Sequence, residues 1–368
     1  MSTTPQTPAT LSPSRAEARA ALRARVRHSM RPWRQATPIA RRLVIAGVII
    51  TSMFGFMAIF ADSIAPYDGD QYRYIVGSTE NPDRVDSAGC NNGTFECLQI
   101  PRRQEPGGDF PMGTTASRFD VMSRIIHGSR LAMIVVIAAT SLSMFIGVPL
   151  GLYSGFVGGK IDRLLVMLMD SVYAFPPLIL AIIVAFALRD RLEPGVPSAA
   201  VSVGVVYIPQ YFRVVRNQVL SVKQEVYVEA ARSLGAKPRT IITRYVFFNV
   251  VSSIPVIFTI NAADAVLTLA SLGFLGFGVE FPTAEWGVDV FRGLSDATSG
   301  YGWTALFPGL AIMVLVLGLT LIGEGLNDIV NPLLRVRGFV GKVKARKLDV
   351  SPIGPGDAPT VNEPGAQP

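Results

Sequence analysis

Residues 228–248, VEAARSLGAKPRTIITRYVFF, form a charged stretch between long apolar runs. Ser221 and Gln224 have the spacing of a capping box, which predicts a helix that starts just ahead of the stretch. Gly235 suits the left-handed residue that ends a helix, and Pro238 suits the first turn of the next one. The stretch therefore predicts a helix, a sharp turn and a second helix that continues into an apolar run.

The chain around this stretch is strongly apolar. Of its 368 residues, 49 % are hydrophobic and 17 % are charged, which indicates a polytopic membrane protein. A helix that crosses a hydrocarbon core of about 30 Å needs roughly 20 apolar residues. Six segments qualify: 43–61, 131–151, 164–187, 196–211, 246–270 and 305–323. The predicted fold class is an all-α polytopic membrane protein with about six transmembrane helices.

The placement of basic residues predicts the orientation. Residues 1–42 hold nine Arg and one Glu, and Lys and Arg are retained on the cytoplasmic side of a membrane. Alternation from there puts both termini in the cytoplasm and makes the basic segment 212–245 cytoplasmic. This placement also explains the net charge of +7, so no nucleic-acid partner is expected.

The same alternation divides the chain into predicted regions. They are a basic cytoplasmic tail (1–42), a first transmembrane helix (43–61), an extracytoplasmic loop (62–130), a core (131–335) with its cytoplasmic loop (212–245), and a largely disordered cytoplasmic tail (336–368). The last region is rich in Pro and Gly, which is typical of disorder.

The chain's two cysteines, Cys90 and Cys97, fall in the predicted extracytoplasmic loop. An oxidising exterior permits a disulfide that closes the turn between them, and two free thiols are the alternative. Two thiolates alone make a poor zinc site, so no metal site is predicted. No catalytic residues are predicted either: GFVGGKI at 155–161 lacks the first Gly and the Ser or Thr of a phosphate-binding loop.

The motif VEAARSLGA resembles the EAA loop of binding-protein-dependent ABC import permeases, in which E-A-A and a following Gly form a helix that docks on an ATPase subunit. The resemblance continues through residues 111–130, 146–180, 271–287, 306–312 and 323–334, and it is to the "C"-type permeases of the peptide/nickel import family. It implies a type I ABC importer permease fold. The residues that it assigns to ATPase coupling are Glu225, Glu229, Ala230, Ala231, Arg232 and Gly235.

The chain departs from the family pattern at several positions. Thr115, Arg118 and Phe119 stand where the family has Asp and Gly-Arg, although Asp120 is kept. The Leu-Pro that closes the EAA region is Phe247–Phe248, which predicts a relaxed bend before the fifth span. Leu269 replaces an acidic residue. These departures leave the implied fold and docking role intact.

Helix breakers and intramembrane polar groups are the best pointers to a translocation path. They are Pro176, Pro177, Asn261, Asp264 and Thr268. A carboxylate deep in an apolar run is costly, so Asp264 is expected to face water or protein. Its alternative role is a structural hydrogen bond to a partner permease.

A continuous helix over 246–278 would be about 50 Å long at 1.5 Å per residue, which exceeds the membrane core. The glycines at 273, 276 and 278 are therefore expected to break it on the outer side. Trp303 is predicted to be an interfacial anchor. Trp286 is predicted to be either such an anchor or a contact for a binding protein.

The resemblance implies one transmembrane subunit of an ATP-driven importer in the cytoplasmic (inner) membrane of a bacterium. The implied partners are a second homologous permease, two ABC ATPase subunits, an extracytoplasmic solute-binding protein and the lipid bilayer. The chain itself binds no cofactor; ATP and Mg are used by the ATPase subunits. Di- or oligopeptides are the expected cargo, with nickel chelates or another small solute as alternatives. A secondary transporter and a membrane scaffold remain open as other classes.

Overall fold

The computed structural model describes residues 36–67, 69, 73–75, 97–189, 191–192 and 195–330. The predicted tails up to residue 35 and over 336–368 lie outside the described residues, and so does Cys90. The Cys90–Cys97 disulfide and the cytoplasmic location of both termini therefore stay predictions.

Helices make up most of the described chain. In order they are α1 (Pro38–Ile59), α2 (Ala61–Ile64), α3 (Val121–Val157), α4 (Gly159–Tyr173), α5 (Pro177–Leu188), α6 (Val196–Val222), α7 (Val226–Ser233), α8 (Pro238–Thr240), α9 (Phe247–Val250), α10 (Ile254–Phe274), α11 (Trp286–Thr298) and α12 (Trp303–Val330). Between α1 and α3, β1 (Arg73–Ile75) pairs with β2 (Cys97–Gln99) in antiparallel register.

Five of the described helical runs are long and apolar enough to cross a membrane: α1, α3, α6, the run Pro238–Phe274 and α12. The bent pair of α4 and α5 makes a sixth if it is counted as one span. The predicted all-α polytopic fold is thus confirmed. Two helices extend past the predicted apolar runs into more polar sequence. Helix α3 begins at Val121, and α6 ends at Val222.

The predicted loop 212–245 is largely helical. It contains the end of α6, all of α7 and the start of the run Pro238–Phe274. That run is not a regular α-helix, since Ile241–Val246 is π-helical and Val251–Ser253 is a 3₁₀ turn. Irregular turns of this kind widen or tighten a helix without breaking it. The run thus continues from Pro238 to Phe274 through these irregular turns, and the relaxed bend at Phe247–Phe248 stays a prediction.

Helices α3 and α6 pack closely because α3 presents glycine at every fourth position. A Cβ atom at Gly147 would lie 2.6 Å from the Tyr211 Cβ, and one at Gly151 would lie 2.7 Å from the Phe212 carbonyl oxygen. A Cβ at Gly155 would lie 2.9 Å from the Val219 Cβ. Small residues spaced by four let two membrane helices approach to backbone contact.

The main apolar core is formed by α1, α3, α6, α10 and α12. A second apolar cluster lies where α7 and the π-helical segment meet α6. The membrane-spanning run Pro238–Phe274 lies between α7 and α11 in the chain. We therefore name the two ends of the bundle after these helices, the α7 end and the α11 end. The candidate site residues fall on these two ends and on the helices between them.

Candidate functional site

Helix α7 begins at Val226 with Glu225 as its N-cap residue. The predicted Ser221–Gln224 capping box is wrong: Ser221 lies within α6, where its hydroxyl donates to the Asn217 carbonyl oxygen at 3.3 Å. Helix α6 continues past the end of its apolar run and takes up this position. The helix that the capping box predicts after Ser221 therefore begins about one turn later, at Val226.

The C-terminal end of α7 matches the sequence prediction. Gly235 has a φ of 78°. Its N–H donates to the Arg232 carbonyl oxygen, and the Ala236 N–H donates to the Ala231 carbonyl oxygen, each at 3.0 Å. These two bonds define a Schellman motif, in which the left-handed position favours glycine. Pro238 then occupies the first turn of α8, so the predicted sharp corner is present.

Helix α7 has one buried and one exposed side. Val228 and Ala231 are buried, at 0 % and 6 % exposure, and belong to the apolar cluster at the α7 end. On the other side, Val226 is 79 % and Leu234 is 88 % exposed, with Ala230 exposed between them. The helix is therefore fixed to the bundle by one side and presents a small apolar surface on the other.

Charged residues border this surface. Glu225, Glu229 and Arg232 are exposed, and they form no ion pair with any described residue. Of the six residues assigned to coupling, five are thus exposed on or beside α7. Ala231 is the exception, because its methyl group packs against the chain's own core.

Pro176 and Pro177 lie at the junction of α4 and α5, which meet at 95°. Pro177 occupies the first turn of α5 and Pro176 is its N-cap residue. A proline disfavours helical conformation in the residue before it, so two in succession prevent α4 from continuing. The span predicted over 164–187 is therefore a bent pair of helices, and the two prolines mark its interruption, as the sequence predicts.

Helix α10 carries the three polar residues that the sequence assigned to the translocation path. Asn261 and Thr268 are buried, at 1 % and 8 % exposure, and the Thr268 hydroxyl hydrogen-bonds to the Tyr207 hydroxyl of α6 at 2.7 Å. Asp264 is only half-buried. It shares an open stripe of α10 with Ile260 and Leu267, at helical spacing. Asp264 is thus more exposed than the other two, although the Thr268 hydroxyl donates to the Asp264 carbonyl oxygen at 3.0 Å.

The α11 end holds a buried cation that sequence reasoning missed. Arg124, at 1 % exposure, donates to Asp289 Oδ1 at 2.6 Å. It also donates to the carbonyl oxygens of Gly69 at 2.8 Å, Pro282 at 2.9 Å and Thr283 at 3.2 Å. The only signal was a charged residue near the end of the segment predicted as loop 62–130. The end of that segment is helical from Val121 onward.

Two carboxylates cap helices at the same end. Glu285 accepts hydrogen bonds from the N–H groups of Gly287 at 2.9 Å and Val288 at 2.8 Å. Burial nevertheless raises the pKa of Glu285 to about 7. Asp120 accepts from the N–H of Ser123 at 2.8 Å at the start of α3, and burial raises the pKa of this carboxyl as well. Both groups hold helix ends in place.

The glycine break and the two tryptophans have different outcomes. Helix α10 ends at Phe274, and Gly276 follows with a φ of 79°, so the predicted break is confirmed. Trp286 is 2 % exposed and donates to the Ile125 carbonyl oxygen at 3.1 Å. It is therefore neither an interfacial anchor nor a surface contact. Trp303 is half-buried and donates to the Thr114 carbonyl oxygen at 3.3 Å.

A polytopic helical bundle with an exposed helix at one end is consistent with a membrane permease subunit. Residues 147–336 match the family model described as the inner membrane component of binding-protein-dependent transport systems. The chain belongs to this family. It is a multi-pass inner-membrane protein and a transmembrane subunit of an ABC importer, as the resemblance implies.

Curated relatives agree with this assignment. The chain is 33 % identical to the dipeptide transport system permease protein DppC of Alkalihalophilus pseudofirmus, over 83 % of this chain and 91 % of the relative. It is 32 % identical to the glutathione transport system permease protein GsiD of Pectobacterium atrosepticum, over 83 % and 92 %. It is 31 % identical to the di/tripeptide transport system permease protein DppC of Pseudomonas aeruginosa, over 79 % and 88 %.

Proposed function

We propose that this chain moves di- or oligopeptides across the inner membrane, driven by ATP that two partner ABC ATPase subunits hydrolyse with Mg. A second, homologous permease completes the pore, and an extracytoplasmic binding protein delivers the cargo. The peptide cargo is supported by the relatives, which are named for dipeptide, di/tripeptide and glutathione transport. The α7 end faces the cytoplasm in this proposal, in agreement with its basic residues.

The exposed side of α7 is the observation that carries the proposal. An apolar surface such as Leu234, at 88 % exposure, loses free energy in water and gains it when a partner covers it. The charges of Glu229 and Arg232 beside it supply register and orientation, which apolar contact alone does not. Because Val228 fixes the other side of α7 in the core, force on the surface is transmitted to α6 and to the run Pro238–Phe274.

Asp264 is the residue of α10 that we place on the translocation path. It lies on the stripe of α10 that the chain's own helices leave open, and no described cation pairs with it. A carboxylate in a membrane span is stable only next to water, a partner or cargo. Pro176 and Pro177 belong to the same proposal, because an interrupted helix is tolerated where it borders a cavity.

The docking role is tested by an affinity pull-down from detergent-solubilised membranes that contain all the subunits. Wild type is compared with Glu229→Lys, which reverses a charge beside the surface, and Gly235→Val, which places a β-branched residue at a φ of 78°. Glu105→Lys is the matched control, since Glu105 is exposed and lies in the loop at the α11 end. We expect both α7 variants to lose the ATPase pair and the control to keep it.

Two results would contradict the proposal. If wild type retains the second permease and no ATPase, α7 is not a docking helix and a secondary transporter becomes the better hypothesis. If uptake by the intact complex is seen with a nickel chelate and not with labelled dipeptides, the docking role stands and the peptide cargo is wrong.

A further inference from the structure

Helix α4 is attached to the bundle mainly by charge. None of its residues is fully buried, and none belongs to the two apolar clusters that hold the neighbouring helices. Its firmest contact is Asp162, whose carboxylate accepts two hydrogen bonds from Arg216 of α6, from Nε at 2.6 Å and from Nη2 at 2.8 Å. The Ser154 hydroxyl at the end of α3 donates to the same carboxylate at 2.5 Å.

The geometry of this pair is stiffer than that of a simple ion pair. The two parallel bonds of a guanidinium and a carboxylate fix relative orientation as well as distance. The two side chains are also largely shielded, at 15 % exposure for Asp162 and 23 % for Arg216. By contrast, the second pair between α4 and α6, Asp170 with Arg213, makes one bond at 2.9 Å with both side chains about half exposed.

The pair lies between two parts of the molecule with separate roles. Helix α6 leads directly into α7 through residues 223–225, and Lys223 Nζ donates to the Gly155 carbonyl oxygen at 2.9 Å. Helix α4 leads through Pro176 and Pro177 into α5 at an angle of 95°. A displacement of α7 that moves α6 reaches α4 through the shielded Arg216–Asp162 pair, through the exposed Arg213–Asp170 pair or through the chain at the end of α3.

We propose that Asp162 and Arg216 are positioning residues that transmit motion of α7 to the bent pair of α4 and α5. The inference rests on the proposed function, because it takes α7 to be the surface on which the ATPase acts. With the bidentate pair intact, α4 follows α6 as a rigid body when the ATPases close. Without it, α6 moves and the α4–α5 bend does not, so ATP is hydrolysed with little transport.

The test uses the complete importer in proteoliposomes and measures peptide uptake and ATP hydrolysis in the same sample. Asp162→Asn removes the charge of the pair, and Arg216→Lys keeps the charge and removes the two-bond geometry. Asp170→Asn, at the exposed pair, is the matched control. We expect uptake per ATP hydrolysed to fall at least about fivefold in the first two variants, the lower range of coupling between sites, and to stay near wild type in the control.

A charge exchange separates transmission from simple stability. Asp162→Arg combined with Arg216→Asp restores a bidentate pair with the ends reversed, and we expect it to recover much of the lost ratio. A purely structural pair predicts a different pattern: uptake and hydrolysis fall together, with less assembled complex in the pull-down. That pattern, or a wild-type ratio in Arg216→Lys, would overturn the inference. If the wild-type complex retains no ATPase, the proposed function fails first and this inference falls with it.

Discussion

At the scale of single residues, Glu285 shows how burial and capping oppose each other. Its carboxylate satisfies two N–H groups at the start of α11, which favours the charged form. The side chain is 3 % exposed, and removal from water disfavours that form more strongly, so its pKa rises to about 7. Gly273 leaves the space for this carboxylate, because a Cβ there would collide with it.

Glu285 predicts a pH dependence of stability. Its pKa is about 7 in the folded chain against a usual 4.5, so the folded state binds the proton more tightly than the unfolded state. The free energy of unfolding therefore rises as the pH falls through 7, and it levels off below about 4.5. Each pH unit in this window contributes about 1.4 kcal/mol at most. Thermal unfolding of the purified subunit between pH 5 and 8 measures the effect.

Two substitutions test whether Glu285 causes this pH dependence of stability. Glu285→Gln should flatten the unfolding temperature across this pH range, while Glu280→Gln, at an exposed position in the same turn region, should leave the slope unchanged. An identical slope in Glu285→Gln and wild type would show that another group titrates.

At the scale of elements, α3 and α6 are held together by the absence of side chains. The glycine positions at 147, 151 and 155 allow the α6 backbone to lie against α3. Dispersion contacts and backbone proximity replace the hydrophobic effect here, because lipid chains are as apolar as leucine. Gly55 of α1 provides a contrast, since a Cβ there would meet no atom within 4 Å.

Gly151, in the α3–α6 contact, and Gly55, in open space, make a matched pair for mutation. Gly151→Ala places a methyl group 2.7 Å from the Phe212 carbonyl oxygen, which forces α3 and α6 apart and should cost about 1–3 kcal/mol as an overpacked contact. Gly55→Ala should be neutral or slightly stabilising, because alanine favours helix by about 1 kcal/mol. Thermal unfolding in detergent compares them, and equal shifts for the two variants would exclude the packing explanation.

At the scale of the whole molecule, Arg124 joins segments that are distant in the chain. It connects the start of α3 with Asp289 of α11, with the turn at Pro282 and Thr283, and with Gly69. Arg130 also pairs with a carboxylate, through two hydrogen bonds to Asp62, but there the side chains are 36 % and 56 % exposed. Burial thus distinguishes two pairs of the same chemistry.

The difference in burial predicts that the same Asp→Asn substitution costs more folding stability at the buried pair than at the exposed pair. Asp289→Asn leaves the buried Arg124 charge without its carboxylate and should destabilise the fold by about 3–5 kcal/mol. Asp62→Asn, at the exposed pair, should cost about 0–1 kcal/mol. Thermal unfolding and limited proteolysis of the α11 region measure the difference. A loss of stability in Asp289→Asn no larger than in Asp62→Asn would mean that the α11 end is held by its apolar contacts instead.

The sequence by itself determined the features that short stretches encode. Apolar length sets the number of spans, and the corner at Gly235 and Pro238 and the break at Gly276 follow from backbone preferences of one or two residues. The family also followed from contiguous motifs. Hydropathy does not reveal helical turns made of polar residues. Helices α3 and α6 are therefore longer than the predicted apolar spans.

Only the tertiary structure decided which side chains meet and which face outward. The pairs Arg124–Asp289 and Asp162–Arg216 join residues 165 and 54 positions apart, and no local pattern links such residues. The burial of Trp286 and the different exposure of Asp264 and Thr268 likewise depend on neighbouring helices. The physical reason is that backbone preference and hydropathy act within a few residues, whereas burial and ion pairing exist only once the helices have packed.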